Sequence, residues 1–268
     1  MLLDQNRNPL GKKKGFMHVE SYLSRIGYVS QPSVDFETLK NLHLAHLYTV
    51  PFENLDIHAD KKIAPNLDAL YTKIVTQRRG GICYELNGLF AGLLRSIGFD
   101  VTMLAANVHV ANNEWTPDFD HMALAVRVDE KCYLADVGFG DSFLVPLDLA
   151  SSELQNGGRS DYRISVSNGF HTVSKATGAA PESLVQPLFR FKMIPHAIED
   201  FSERWNFHQS SPDSHFRRKI VCSRADMEGR LTLSGREFIM SRANTRTITN
   251  LETTERLKIA LYEHFGVV

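Results

Sequence analysis

Through the first hundred residues the apolar positions recur at helical spacing. Phe16, Val19, Leu23 and Ile26 share one stripe that stops at Gly27, a residue suited to a left-handed helix end. Asp35 is placed to cap a second helix carrying Phe36, Leu39, Leu42 and Leu47, which must end before Pro51. Asn66 predicts the start of a third, with Leu67, Leu70 and Ile74 on one face. A fourth begins near Cys83 and carries Leu86, Phe90, Leu93, Leu94 and Ile97 up to Gly98. Beyond Gly98 the period changes to two, and Val101–Val110, Met122–Val128, Lys131–Val137 and Tyr162–Val166 are predicted strands. Residues 184–192 and 219–240 read as further strands, and Glu252–Phe265 as a closing helix with Leu257, Leu261 and Phe265 four apart. The expectation is α+β: a helical bundle, then a mainly antiparallel sheet able to close into a barrel, then a mixed final part, packed as one body.

Residues 1–15 contain Pro9, Gly11, Gly15 and three consecutive lysines without periodicity, so they read as a flexible tail, with Met17 as an alternative start. The expected units are 1–15, 16–98, 99–205 and 206–268. The 268 residues are 43% hydrophobic and 23% charged, ordinary globular usage that excludes a disordered or fibrous chain. With 30 Lys and Arg against 31 Asp and Glu the net charge is −1, which offers no footprint for nucleic acid. No apolar run reaches the roughly 18 residues of a membrane span. Three cysteines make no disulfide framework and no zinc spacing, so a cytoplasmic setting with one reactive thiol is expected.

The chemistry concentrates at Arg78-Arg79-Gly80-Gly81-Ile82-Cys83-Tyr84-Glu85-Leu86-Asn87. Two glycines permit a tight turn directly before a helix whose first residue is a cysteine, and a helix start favours the thiolate that attacks as a nucleophile. Such a thiol needs a base and an orienting group. His121 and Asp136 lie on predicted strands joined by Asp129-Glu130. A two-residue loop puts Val128 opposite Lys131 and Ala123 opposite Asp136, so His121 and Asp136 share a face as diagonal neighbours. Ala123 and Ala125 leave room on that face for the helix bearing Cys83, while Met122, Leu124, Val126 and Val128 supply a core face. A core histidine and a turn aspartate remain equally compatible with these residues alone. His43 and His46 lie three apart on a helix face, but no carboxylate or cysteine completes a metal set, so they read as structural. Cys132 and Cys222 read as packing.

Taken together, these segments resemble the arylamine N-acetyltransferases. Arg79-Gly80-Gly81-x-Cys83-x-Glu85-x-Asn87 is similar to that family's nucleophile motif, and Asp136-Val137-Gly138-Phe139-Gly140 with Pro146-Leu147 to its aspartate segment. His43-x-x-His46-Leu47-x-x-Val50-Pro51-Phe52-Glu53-Asn54-Leu55-Asp56 resembles its N-terminal signature, and Tyr22-Leu23-x-Arg25-Ile26-Gly27 its opening helix. Asn206 and Ser210-Ser211-Pro212-x-Ser214-x-Phe216 resemble a motif of its last third. The resemblance implies a helical bundle, a central β-barrel and a C-terminal α/β lid around a papain- or transglutaminase-like core, with Cys83, His121 and Asp136 as a catalytic triad. It implies acetyl-coenzyme A as a co-substrate, no permanently bound cofactor, and arylamines, arylhydrazines or hydrazides as acceptors in a ping-pong reaction. Phe52, Phe139 and Phe216 match positions that line the acceptor cleft, Ser214 a position near coenzyme A, and Arg79 and Glu53 a supporting ion pair. Asp213 beside Ser214 would not favour a phosphate. A related amide synthase, a cysteine hydrolase and a non-enzymatic acyl-binding module are the alternatives.

Overall fold

A computed structural model describes residues 17–177, 184–243 and 245–267; the tail expected at 1–15 and the helix position Phe16 lie outside them. Helix α1 (Val19–Ile26) ends on Gly27 in the left-handed conformation. Helix α2 (Phe36–Thr49) is capped by the Asp35 carboxylate, which accepts from the Thr38 N–H at 2.7 Å. A two-residue strand β1 (Phe52–Glu53) and a turn of helix α3 (Leu55–His58) follow. Asn66 caps α4 (Leu67–Tyr71), which continues as a π-helical turn over Thr72–Thr76. Leu70 and Ile74 of the expected stripe are buried, whereas Leu67 is exposed. Helix α5 (Cys83–Ile97) runs through the middle of this cluster, with Leu86, Leu89, Phe90, Leu93 and Leu94 fully buried.

Strands β2 (Asp100–Val110), β3 (Glu114–Trp115), β4 (His121–Val128), β5 (Lys131–Ala135), β6 (Leu147–Asp148), β7 (Gln155–Asn156), β8 (Asp161–Ser167), β9 (Phe170–Thr177) and β10 (Leu184–Phe191) form one antiparallel sheet in the order β6-β5-β4-β2-β10-β9-β8-β7, with β3 beside β2. The two ends of that order meet. Gln155 imitates a strand neighbour of Asp148, donating Nε2 to its carbonyl at 2.9 Å and accepting its N–H on Oε1 at 2.7 Å. The sheet is thereby a nearly closed barrel filled by Leu104, Leu134, Phe143, Tyr162, Val173, Phe189 and Phe191.

Helices α6 (Ser202–Ser210) and α7 (His215–Arg218) lead into β11 (Val221–Ala225), β12 (Gly229–Ser234), β13 (Glu237–Arg242) and β14 (Thr245–Asn250), closed by α8 (Thr254–Phe265) with Thr253 as its cap. This sheet has the order β1-β11-β12-β13-β14, so Phe52 and Glu53 are its edge strand. Leu261 and Phe265 of α8 pack on Cys222, Leu233 and Phe238. The boundary expected between 205 and 206 falls inside α6.

The hairpin register is the one the two-residue loop requires: Val128 faces Lys131 and Leu124 faces Ala135. The allocation of its faces is reversed. Helix α5 packs on the Met122, Leu124 and Val126 side, and Ala123 and Ala125 point into the barrel, where Leu104, Leu134 and the phenylalanines of β10 need the space.

Candidate active site

The turn that delivers Cys83 is held by its backbone neighbours. Neither Gly80 nor Gly81 has a positive φ, so the glycines are required by close approach and not by a left-handed turn. A Cβ on Gly80 would lie 1.9 Å from the Pro51 carbonyl oxygen, and one on Gly81 2.7 Å from the Glu85 carboxylate. The Glu53 N–H donates to the Gly81 carbonyl at 2.9 Å, which ties the turn to β1. Glu85 Oε2 accepts the Ile82 N–H at 2.9 Å, filling one of the donors a helix start leaves open.

The Arg79–Glu53 pair expected from the resemblance exists, with Nη2 to Oε1 at 2.8 Å and Nε to Oε1 at 3.1 Å. It is part of a larger network. Arg79 also reaches Asp56 at 3.1 Å, and Lys73 Nζ lies 2.7 Å from Glu85, 3.0 Å from Asp56 and 3.9 Å from Glu53. Burial pushes Lys73 down, but Glu85, Glu53 and Asp56 outweigh it and raise its pKa. Glu85 is raised by its own burial, which Lys73 only partly offsets. Arg25, buried beneath the turn, donates to the carbonyls of Ile74 at 3.0 Å and Thr49 at 3.1 Å and, more loosely, to those of Arg78 and Arg79.

On the opposite wall, β4 begins with His121 and β5 runs out into Asp136. His121 Nε2 is 2.7 Å from Asp136 Oδ2. Asp136 Oδ1 accepts from Asn87 Nδ2 at 2.8 Å and from the Gly138 N–H at 2.9 Å, so the carboxylate is fully engaged. Asn87 also donates to the Met122 carbonyl at 2.6 Å and accepts the Val137 N–H at 2.9 Å, clamping helix α5 to both strands of the hairpin. His43 Nδ1 donates to the Leu144 carbonyl at 3.0 Å, and its Nε2 accepts the Asp136 N–H at 3.1 Å; burial lowers its pKa, which keeps it neutral for that role. Asp136 itself is raised by burial and lowered more strongly by His121 and its hydrogen-bond donors, so it is ionised.

The Cys83 thiol lies against the imidazole. Since Asp136 takes Nε2, Nδ1 is the ring nitrogen left for sulfur. Burial lowers the His121 pKa, but Asp136, the hydrogen bond to it and the contact with Cys83 together push it up to about 10. Phe139 and Phe189 each meet the ring at 5.2 Å, edge to face, and limit its rotation. All three residues are nearly inaccessible, at 3% for Cys83 and His121 and 1% for Asp136.

Cys83 and His121 open into a cavity of about 700 Å³. Phe52, Phe139 and Phe216 all line it, with Val108 and Val110 of β2. Ser214 does not. Its hydroxyl is buried, accepts the Phe216 N–H at 3.2 Å and lies 3.1 Å from His208 Nδ1, while His208 Nε2 meets Asp120 at 2.9 Å. No cluster of three or more His, Cys, Asp or Glu able to hold a metal occurs among the described residues. His43 and His46 are both buried, and His46 Nδ1 pairs with the Tyr22 hydroxyl at 3.0 Å.

The N-acetyltransferase family model matches residues 35–268, and the Escherichia coli K12 arylamine N-acetyltransferase is 32% identical over 251 residues, 92% of this chain and 87% of the relative. The chain belongs to the arylamine N-acetyltransferase family. Human arylamine N-acetyltransferase 1 is 31% identical over 252 residues, covering 88% of this chain and 87% of its own length. Among solved structures, the Salmonella typhimurium arylamine N-acetyltransferase superposes with a TM-score of 0.87 at 29% identity, over 94% of this chain and 92% of that one. The Mycobacterium marinum family member solved in complex with CoA gives 0.86 at 28% identity, over 93% and 92%. Family membership agrees with the barrel, the helical bundle and the sheet beside them. Spacing and periodicity give no role to Asn87, Arg25, Lys73, Asp56 or Glu85 and mark His43 only as structural. Asn87, Arg25, Asp56, Glu85 and His43 stand inside the quoted motifs, and a polar residue recurring within an apolar helix or signature is the available signal. Lys73 gives none, because a lysine beside the apolar stripe of an amphipathic helix reads as solvated.

Proposed function

We propose that this chain transfers an acetyl group from acetyl-coenzyme A to aromatic amines, arylhydrazines or hydrazides through an acetyl-Cys83 intermediate. The observation that carries the reading is the engaged Cys83–His121–Asp136 series at the floor of an apolar cavity that also holds Phe52, Phe139 and Phe216. Cys83 sulfur attacks the thioester carbonyl carbon, the carbon–sulfur bond to coenzyme A breaks, and protonated His121 gives its proton to the departing thiolate. The helix start beside Cys83 is the source of open N–H groups that can receive the oxyanion, those of Ile82, Glu85 and Leu86 being already engaged. The amine nitrogen then attacks the acetyl carbon, the bond to Cys83 breaks, and His121 takes the amine proton, which restores the starting state. Asp136 holds the imidazole in orientation and balances its charge. Arg79, Glu53 and Ser214 act as support: the first two through the nucleophile turn, the third through α7.

Intact mass measured after brief exposure to acetyl-coenzyme A is expected to rise by one acetyl group, and to return on adding a hydrazide, with acetyl-hydrazide formed. Cys83→Ser is expected to remain unmodified. Acetylation of acceptors at the native rate by Cys83→Ser would refute the intermediate, and discharge to water as fast as to the hydrazide would favour a hydrolase.

A further inference from the structure

One polar group in the cavity above Cys83 has no part in the acid–base series. Asp120 is the single carboxylate among the described residues that line it, and its side chain is only 3% exposed. Helix α6 presents Arg204 and His208, four residues apart on one face, to the same oxygen: Arg204 Nε and His208 Nε2 both donate to Asp120 Oδ1, the latter at 2.9 Å. That leaves Oδ2 without a donor among the described residues. Burial raises the Asp120 pKa, but the contacts with His208 and Arg204 outweigh it and bring it down to about 2, so the group is ionised. Its position is fixed from both sides. The Tyr84 hydroxyl donates at 2.8 Å to the carbonyl of Phe119, the residue before it, and the Arg204 guanidinium lies 4.0 Å over the Phe207 ring.

An ionised, nearly dry oxygen in a pocket walled by Phe52, Phe139 and Phe216 is costly unless something that enters the pocket brings it a proton donor. The cavity offers few competitors for that role. Thr116 Oγ1 already accepts the Val108 N–H at 2.8 Å, His121 is held by Asp136, and His215 stands exposed. A carboxylate repels the phosphates of a coenzyme A thioester, and the uncharged arm of that donor leaves before the second substrate enters. In the second half of the reaction the oxygen is therefore open to the acceptor. We infer that Asp120 Oδ2 selects the acceptor, by taking a hydrogen bond from an N–H or O–H group on its ring, away from the amine that attacks acetyl-Cys83. Rings that carry such a donor are favoured over rings that present an ether oxygen there, because an ether oxygen set against a carboxylate leaves both without a proton. Asp120 determines specificity in this way and moves no proton in the reaction. The inference rests on the acetyl-transfer function proposed above and adds the class of acceptor.

The test compares 3-aminophenol and 4-aminophenol with the matching methoxyanilines. Hydroxyl and methoxy groups act alike on the ring, so the reactivity of the amine is matched and each pair differs in one hydrogen-bond donor. Discharge of acetyl-Cys83, formed beforehand with acetyl-coenzyme A, gives kcat/KM for each amine. A hydrogen bond to a charged group is worth about ten-fold or more, so the native protein is expected to prefer at least one aminophenol over its methoxyaniline by about that factor. Asp120→Asn matches the native side chain in size and can keep its oxygen toward Arg204 and His208, which turns its NH2 into the cavity; the preference should fall to about one. Thr116→Val and His215→Ala remove other polar side chains that line the cavity, and both should keep the preference. A native ratio near one for both pairs would overturn the proposal. So would a preference that survives Asp120→Asn or disappears in Thr116→Val or His215→Ala, and these last two decide the matter if Asp120→Asn does not fold. Slower formation of acetyl-Cys83 in Asp120→Asn with the acceptor ratio intact would give Oδ2 to the donor and overturn it as well. Failure of the native protein to form acetyl-Cys83 would instead refute the acetyl-transfer reading, while calorimetric binding of the same amines to the unacetylated protein would still decide the role of Asp120.

Discussion

Lys73→Met is the perturbation that most directly probes how the nucleophile turn is held. Lys73 Nζ touches Glu85 at 2.7 Å and Asp56 at 3.0 Å and lies 3.9 Å from Glu53. Glu85 is completely buried and has no other cationic partner among the described residues, so removing Lys73 leaves a buried carboxylate with the Ile82 N–H as its remaining described support. Breaking a buried pair by deleting one partner costs about 3–5 kcal/mol. At a urea dependence of about 2 kcal/mol per molar, the unfolding midpoint should fall by roughly 2 M. Arg79→Ala should cost less, about 1–3 kcal/mol, because Lys73 remains beside both Glu53 and Asp56. An isolated Arg79–Glu53 pair would have given the opposite ranking.

The penalty should also depend on pH. Glu85 already binds its proton more tightly in the folded state than in the unfolded one. Without Lys73 that bias grows, so the stability of the variant is best preserved at low pH and lost as pH rises through the folded value. Urea midpoints of Lys73→Met and the native protein at pH 5.5 and 8 measure this, and the gap should be wider at pH 8. Because Glu85 fixes the amide of Ile82, the rate of acetylation of Cys83 should fall in parallel. Native stability with native acetylation at pH 8 would refute the network as the support of the turn.

Asp136→Asn should lower the acetylation rate by about 10³–10⁴-fold with the fold intact, if this aspartate orients and balances His121 as a triad member does, measured by stopped-flow release of coenzyme A. With His121 raised to about 10 and Asp136 lowered, the stability advantage of the native chain over His121→Gln should hold below the unfolded histidine value of about 6.5 and fade as pH climbs through about 10. At the acid end it should fade as Asp136 gains its proton, below the unfolded value of about 3.9; urea midpoints across pH follow both limbs. Gly138→Ala should disturb the site from the backbone side, because its Cβ would stand 2.7 Å from Cys83 Cα and 2.8 Å from Asn87 Nδ2. An overpacking cost of about 1–3 kcal/mol and a lowered acetylation rate are expected, seen by denaturation and intact mass.

The helices of the first hundred residues were legible because each carries its own punctuation: Gly27 and Gly98 take left-handed φ, and Asp35 and Asn66 accept the amides they were placed to accept. Strand β9 was missed. Phe170–Thr177 is mostly polar, yet Asn168 and Gly169 both have positive φ, at 50° and 77°, which is the turn that Asn-Gly favours between two strands. That dipeptide was a usable signal. Strands β1, β6 and β7 are two residues each and carry no period at all. They exist because tertiary partners supply their hydrogen bonds, as Gln155 does for Asp148.

The site divides along the same line. Alternation fixed the parity of the His121–Asp136 hairpin, because a two-residue loop admits one register and one register sets every side chain. Alternation cannot say what covers each face. A helix seeks the larger apolar surface, and Met122, Leu124 and Val126 offer more of it than Ala123 and Ala125, while a barrel interior crowded by Phe189 and Phe191 accepts only small residues from β4. Side-chain volume thus pointed to the arrangement found. With α5 on the outer face, Cys83 reaches His121 past the end of the hairpin, where β5 gives way to Asp136. Asn87, one helical turn beyond Cys83, is then at the height of both Met122 and Asp136 and can bind the two together. The same turn of helix that carries the nucleophile therefore carries the residue that fixes its acid–base partner. A shift of α5 along its axis would move thiol and bracket together and leave their spacing unchanged.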